Sequence, residues 1–115
     1  MAGTLPDYPT VPGNKRVSVT TILGPAHYAT IGIATPPTGG QLIHARDLGL
    51  IDIDWAFGSM SNNGQYEAIV CYPNNPVGPV ESIRLMWRLA ATGAQLANES
   101  TAAAALTVRI VASGN

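Results

Sequence analysis

Charge is what this sequence has least of. Only 11% of its 115 residues are Asp, Glu, Lys or Arg, where an ordinary soluble domain carries roughly 25%. Lys15 is the single lysine. Isolated domains keep apart in solution with Lys and Glu on their surfaces, whereas the centres of protein interfaces are depleted of charge. The shortage points to a surface covered in good part by other subunits, or to a polar but uncharged surface of Thr, Ser, Asn and Gly. The charges that exist sum to −1 and are spread along the chain. Without a Lys/Arg run or a basic stripe, the electrostatic footprint of nucleic-acid binding is missing, and no nucleic-acid partner is expected.

Cysteine is equally scarce. Cys71 stands alone, so no internal disulfide can form and synthesis in a reducing cytoplasm is expected. No apolar run approaches the ~20 residues of a membrane span, so no membrane partner is expected. The first residues lack a basic region leading into an apolar stretch, so no secretory signal is expected either. The sequence holds no G-x-S-x-G, P-loop or G-x-G-x-x-G motif, and Thr38-Gly39-Gly40 is too little for a phosphate cradle.

What the chain has is alternation. Ile51, Ile53, Trp55 and Phe57 alternate with Asp52 and Asp54, and Ile83, Leu85, Trp87 and Leu89 alternate with Arg84, Met86 and Arg88. A helix of that pattern would have no apolar stripe, so these segments read as strands of a half-buried antiparallel sheet, with Trp55 and Trp87 on the core faces. Residues 16–23 set Val17, Val19, Thr21 and Leu23 against Arg16, Ser18, Thr20 and Ile22, and Gly24-Pro25 stops that strand. Residues 27–34, rich in Thr and Ile, read as the next strand, 50–60 as the third and 65–72 as the fourth. Residues 81–89 and 106–112 complete six. Asn62-Asn63-Gly64 is the strongest local turn signal and predicts a hairpin. Residues 44–48 have room for one helical turn capped at Gly49, and Ala102–Ala105 for another. The expected fold is all-β, an antiparallel sandwich or small barrel of about six strands, in one domain over residues 15–115. A domain this size buries ~65% of its unfolded surface, enough for a core without staples.

Residues 1–14 differ from the rest. Pro6, Pro9 and Pro12 recur at every third position and forbid a helix. The segment reads as an extended arm that spans ~43 Å at ~3.1 Å per residue and lies on a neighbouring subunit, or as a frayed terminus. Pro6, Tyr8, Pro9, Val11 and Pro12 are its candidate interface residues.

Several residue types can carry chemistry. Asp52 and Asp54, ~7 Å apart on one strand face, have a spacing that can suit a glycosidase pair; a solvated face ion-paired to Arg84 and Arg88 accounts for them equally well. His27, His44, Asp47 and Cys71 show no metal-ligand spacing, so no metal or other cofactor is expected. His44 and Asp47 suit a local hydrogen bond instead. Cys71 sits in an alternating strand, as a small buried hydrophobe does. Tyr66 and Tyr72 share one strand face, opposite Glu67 and Cys71, and form a candidate ligand platform for a glycan.

The block Pro37-Thr38-Gly39-Gly40, then Asp47-Leu48-Gly49-Leu50-Ile51-Asp52, then a Gly-centred hairpin, then the ending Leu106-Thr107-Val108-Arg109-Ile110-Val111-Ala112-Ser113-Gly114 resembles the small virion structural proteins of tailed bacteriophages, and more loosely their head decoration or cement proteins. The resemblance spans residues 16–114 and leaves out the arm. It implies a β-rich, non-enzymatic protein of the capsid surface, made in the host cytoplasm, often trimeric, that binds across major capsid subunits. A glycan-binding β module displayed on a virion, or another head, neck or tail component, is the alternative.

Overall fold

The computed structural model describes residues 15–32, 38–72 and 79–115. Six strands form: β1 Arg16–Leu23, β2 Gln41–His44, β3 Trp55–Gly58, β4 Tyr66–Cys71, β5 Ser82–Leu89 and β6 Thr107–Gly114. They make two three-stranded antiparallel sheets, one ordered β1-β6-β3 and the other β2-β5-β4. The expected all-β architecture of six strands is therefore present. The arm, with Pro6, Tyr8, Pro9, Val11 and Pro12, lies outside the described residues.

Each sheet is organised by its central strand. Along β5 the alternation places Ile83, Leu85 and Trp87 inward, all buried, with Arg84, Met86 and Arg88 on the other face. Along β6 it buries Val108, Ile110 and Ala112. These two rows meet Tyr28, Ile43 and Ile53 in one shared core. Trp87 is fully buried, and its indole N–H donates to Gln41 Oε1 at 2.9 Å, so the one polar atom of the ring is satisfied.

The turn at residues 44–49 forms as a single 3-10 turn, Ala45–Leu48, and Gly49 closes it with φ +75°, a left-handed conformation glycine reaches at little cost. Residues 101–106 also make one turn, through i to i+3 bonds from Ala104 N–H to Thr101 and from Leu106 N–H to Ala103. The Asn62-Asn63-Gly64 turn returns the chain as expected, with an isolated bridge between Met60 and Glu67. Its two arms, however, sit in different sheets, so the turn joins the layers at one seam. There Gly58 lies against Ala68 so closely that a Cβ would overlap the Ala68 carbonyl.

Two expectations fail. Residues 27–32 belong to no strand, although Thr30 and Ile31 are β-branched. Side-chain amides satisfy this backbone instead: Ile31 N–H donates to Gln95 Oε1 at 2.7 Å, Gln95 Nε2 donates back to the Ile31 carbonyl, and Thr30 N–H donates to Asn98 Oδ1. The strand is replaced by β2, four residues that follow Gly39 and Gly40, both at positive φ.

The second failure concerns residues 50–60. Only Trp55–Gly58 is strand. Ile53 pairs with Val80, on the way into β5, whereas Trp55 pairs with Ser113 of β6. The chain changes partners across Asp54, whose N–H donates to the Ser113 carbonyl at 2.6 Å. That switch slips the phase of the alternation. Ile53 and Ala56, three apart, both point inward and are buried, so Trp55 and Phe57 face out. Trp87 takes the core position expected of both tryptophans, and Trp55 does not.

Candidate functional site

The outward slip of β3 matters because β1 is turned the same way. Ser18, Thr20 and Ile22 form its sheltered side, with Ser18 Oγ donating to the Leu48 carbonyl at 2.6 Å and lying 2.9 Å from Thr20 Oγ1. Val17 and Val19 point outward and are 66% and 65% exposed. A strand with hydroxyls toward its own sandwich and valines toward solvent is inverted relative to a water-facing sheet.

Register lines these residues up across the sheet. Val17 stands beside Ser113 and Ser113 beside Trp55; Val19 stands beside Val111 and Val111 beside Phe57. Residues directly opposite share a face, so the outer face holds Val17, Val19, Val111, Trp55 and Phe57 as one continuous block. The Trp55 and Phe57 rings are 5.4 Å apart, centre to centre, at a tilt of 45°, a favourable aromatic arrangement. Phe57 is 66% exposed all the same. With Leu23 and Met60 at its margin, the block leaves on the order of 600 Å² of apolar surface, at the top of the range for the largest patch on a monomer.

Polar groups stand at the two ends of the block. One residue pair beyond Val19 and Val111 lies Thr21 beside Arg109. Here β3 has ended, and side chains take over its bonds to β6: Ser59 Oγ accepts from Arg109 N–H at 2.8 Å, and Asn62 Oδ1 accepts from Thr107 N–H at 3.1 Å. An open depression of 440 Å³ lies at this end, lined by Thr21, Ser59, Met60, Asn62, Thr107 and Arg109. Because β1 and β3 both run antiparallel to β6, their first residues share the opposite end of the sheet. That end carries an ion pair of 2.6 Å between Lys15 and Asp54.

Most residues singled out for chemistry have a structural occupation. Asp54 pairs with Lys15 rather than with Arg84 or Arg88. Asp52 accepts from Asn115 N–H at 2.9 Å and from Asn115 Nδ2 at 3.0 Å. Those two bonds, helped by the Lys15 charge, hold its carboxyl below the usual aspartate range. Arg88 pairs with Glu67 at 3.2 Å, and Arg84 donates to the Gly39 carbonyl at 2.8 Å. The expected cross-strand pairing fails because both arginines point outward on the β2-β5-β4 sheet, away from Asp52 and Asp54. His44 N–H donates to Asp47 Oδ2 at 2.9 Å, a local bond as expected, though made by the backbone. His27 is exposed and lies 3.9 Å from Glu99. Among the described residues no three His, Cys, Asp or Glu side chains gather where they could hold a metal ion.

Cys71 is half-buried, and burial pushes its thiol up, the opposite of what activates a nucleophile. Tyr66 and Tyr72 share a face, and that face is the inner one. Both rings pack against the core, and the Tyr72 hydroxyl accepts from Ala56 N–H at 2.9 Å while donating to the Ala56 carbonyl at 3.2 Å. Tyr72 also lines an open depression of 250 Å³ with Phe57, Ile69 and Val70.

Comparison with family models, with characterised proteins and with solved structures finds no match to this chain. The block of outward apolar residues on the β1-β6-β3 sheet thus has to be interpreted from its own chemistry. No signal at the level of sequence marked it as a surface. Alternation alone says which residues share a face, not which face meets water.

Proposed function

We propose that this chain is a structural protein of a phage particle, a head decoration or cement protein that works as a homo-oligomer on major capsid subunits and carries no catalytic site. The observation that carries the reading is the inverted amphipathicity of β1, continued across β6 to Trp55 and Phe57, which gives the sandwich an apolar face with no partner among the described residues. Hydrophobic surface of that extent, framed by polar residues, is what a docking face requires. The low charge and the resemblance to small virion proteins support the same reading. Many copies bound around a symmetric shell gain avidity without strong individual contacts.

The test is co-sedimentation of the purified chain with tailed-phage heads that lack it, taken from the phage whose genome encodes it. Saturable binding with a fixed copy number per capsid subunit is the expected result. No retention on heads at tens of micromolar overturns the reading, and a specific glycan-array signal replaces it with a glycan-binding module.

A further inference from the structure

We infer that the apolar face of the β1-β6-β3 sheet is closed by the same face of a second copy of this chain, across a two-fold axis lying between the two sheets and perpendicular to their strands. The inference rests on the reading of that face as a docking surface and names its first occupant.

Extent is the first argument. The outer block and its margin reach on the order of 600 Å² per copy, close to the ~800 Å² per partner of a standard protein interface. Composition is the second. The centre is Val17, Val19, Val111, Trp55 and Phe57, without charge, while Arg109 and the Lys15–Asp54 pair lie at the ends. An apolar centre inside a polar rim is the anatomy of an interface between folded subunits.

The self-complementary arrangement follows from what the rest of the surface offers. A closed ring of three or more copies needs a second, different apolar patch to receive the first. Among the described residues the other sheet's outer face carries Arg84, Arg88 and Glu67 between Leu42, Ile69 and Met86, with Arg84 and Arg88 already bonded. The only apolar surface of matching extent among the described residues is the patch itself, and a patch that meets itself does so across a two-fold axis.

Charge then selects the direction of that axis. An axis parallel to the strands would set Arg109 near Arg109, two cations at an interface margin, which is unfavourable. An axis perpendicular to the strands exchanges the two ends of the sheet. Each Arg109 then comes over the partner's opposite end, where Lys15 and Arg16 are balanced by Asp54 and Asp52, a margin without net charge. The row that mirrors Arg109 about the middle of the block is that of Lys15, whose charge is taken up by Asp54, so each Arg109 meets a closed ion pair instead of a second bare cation.

Light scattering of the full chain from 1 to 100 µM tests this, with far-UV circular dichroism as a control for folding. The wild type is expected to be dimeric. Val19→Asp and Phe57→Asp, each at a position solvent-exposed in the single chain, are expected to keep the fold and weaken dimerisation by ~100-fold or more, because the new carboxylate would be buried without a partner. Leu42→Asp on the other sheet leaves the dimer intact. Arg109→Asp weakens it by ~10-fold, and adding Asp54→Arg restores part of the loss.

A wild type that stays monomeric throughout this range, as when residues 1–14 cover the face, overturns the inference. So does a trimer, or a dimer indifferent to both Val19→Asp and Phe57→Asp. The charge-reversed pair keeps the orientation falsifiable: if Asp54→Arg deepens the defect of Arg109→Asp, the axis is not perpendicular to the strands. A dimer that ignores phage heads removes the decoration reading and leaves the inference standing. A monomer that binds heads, and loses binding with Val19→Asp, does the reverse.

Discussion

The two sheets of this sandwich treat their outer faces in opposite ways. On the β2-β5-β4 sheet the outward residues of the central strand are Arg84, Met86 and Arg88, and the two arginines are engaged by Gly39 and Glu67. On the β1-β6-β3 sheet the outward residues are valines and aromatics, with Arg109 the one charge among them. Their inner faces differ in the opposite sense: Trp87, Leu85 and Ile83 fill the core from one side, whereas β1 contributes Ser18 and Thr20. One sheet has a polar outer face bonded within its own fold, and the other an apolar outer face left exposed. Apolar content alone does not separate these roles; the side on which a strand's hydroxyls fall does.

The largest effect expected from breaking this contrast is at Trp87. Trp87→Ala removes a fully buried indole and strands Gln41 Oε1, and should cost about 3–5 kcal/mol in urea unfolding. A cost under about 1 kcal/mol would show that the β2-β5-β4 sheet does not carry the core. At the seam between the sheets, Gly58→Ala forces a methyl into the Ala68 carbonyl and should cost about 2–3 kcal/mol by the same measurement. An unaffected midpoint would mean that β3 and β4 separate freely.

Tyr28 sharpens the comparison by pH. It is buried in the shared core with its hydroxyl donating to Gln95 Oε1 at 2.6 Å, and burial pushes it up to about 12 from 10.0. The folded state holds this proton more tightly than the unfolded chain does. The contribution is therefore complete below pH 10 and lost as pH rises toward 12, amounting to about 2 kcal/mol. Thermal melts between pH 9 and 12 should show that decline, and Tyr28→Phe should flatten it. Asp52 acts at the other extreme. Its carboxyl is held low by Asn115, so its contribution is present above the ordinary aspartate range, near 3.8, and fades as pH falls below it. Asp52→Asn should make the acid limb of a melting series shallower; an unchanged limb would mean that the Asn115 bonds add nothing in solution.

The smallest effect is expected on the outer face. Phe57→Ser should leave the unfolding free energy of the monomer, measured at high dilution, within about 0.5 kcal/mol of wild type, because the ring is already largely exposed. A loss comparable to that of Trp87→Ala would make the two sheets equivalent and end the contrast.

How much of this was legible in the sequence depended on whether one partner governed a whole segment. β1, β5 and β6 each pair along their full length with a single strand or a matched pair of strands, and their alternation gave their bounds to within a residue or two. The Gly49 and Gly64 turns were legible because positive φ leaves a residue-level mark. Trp55 was not, because its direction depends on a change of partner at Asp54 that no local pattern encodes. Residues 27–32 had strand composition, but Gln95 and Asn98, more than sixty residues away, took the bonds a neighbouring strand would have made. Strand β2 was too short to display a period. For the candidate site, the row Val17, Val19, Thr21, Leu23 was visible as a face, while its outward direction needed the second layer to be in place.

The placement of β6 at the centre of the β1-β6-β3 sheet has a consequence for the order of events during synthesis. Of the six strands β6 is translated last, yet neither β1 nor β3 has another partner within that sheet. Until Thr107–Gly114 emerges, Val17, Val19, Trp55 and Phe57 sit on separate, unpaired segments and form no common surface. Pairing the earliest strand with the latest closes a long loop and is intrinsically slow. The outward apolar face is therefore completed only when β6 pairs, and a chain lacking Thr107–Gly114 holds Val17, Val19, Trp55 and Phe57 on no common surface.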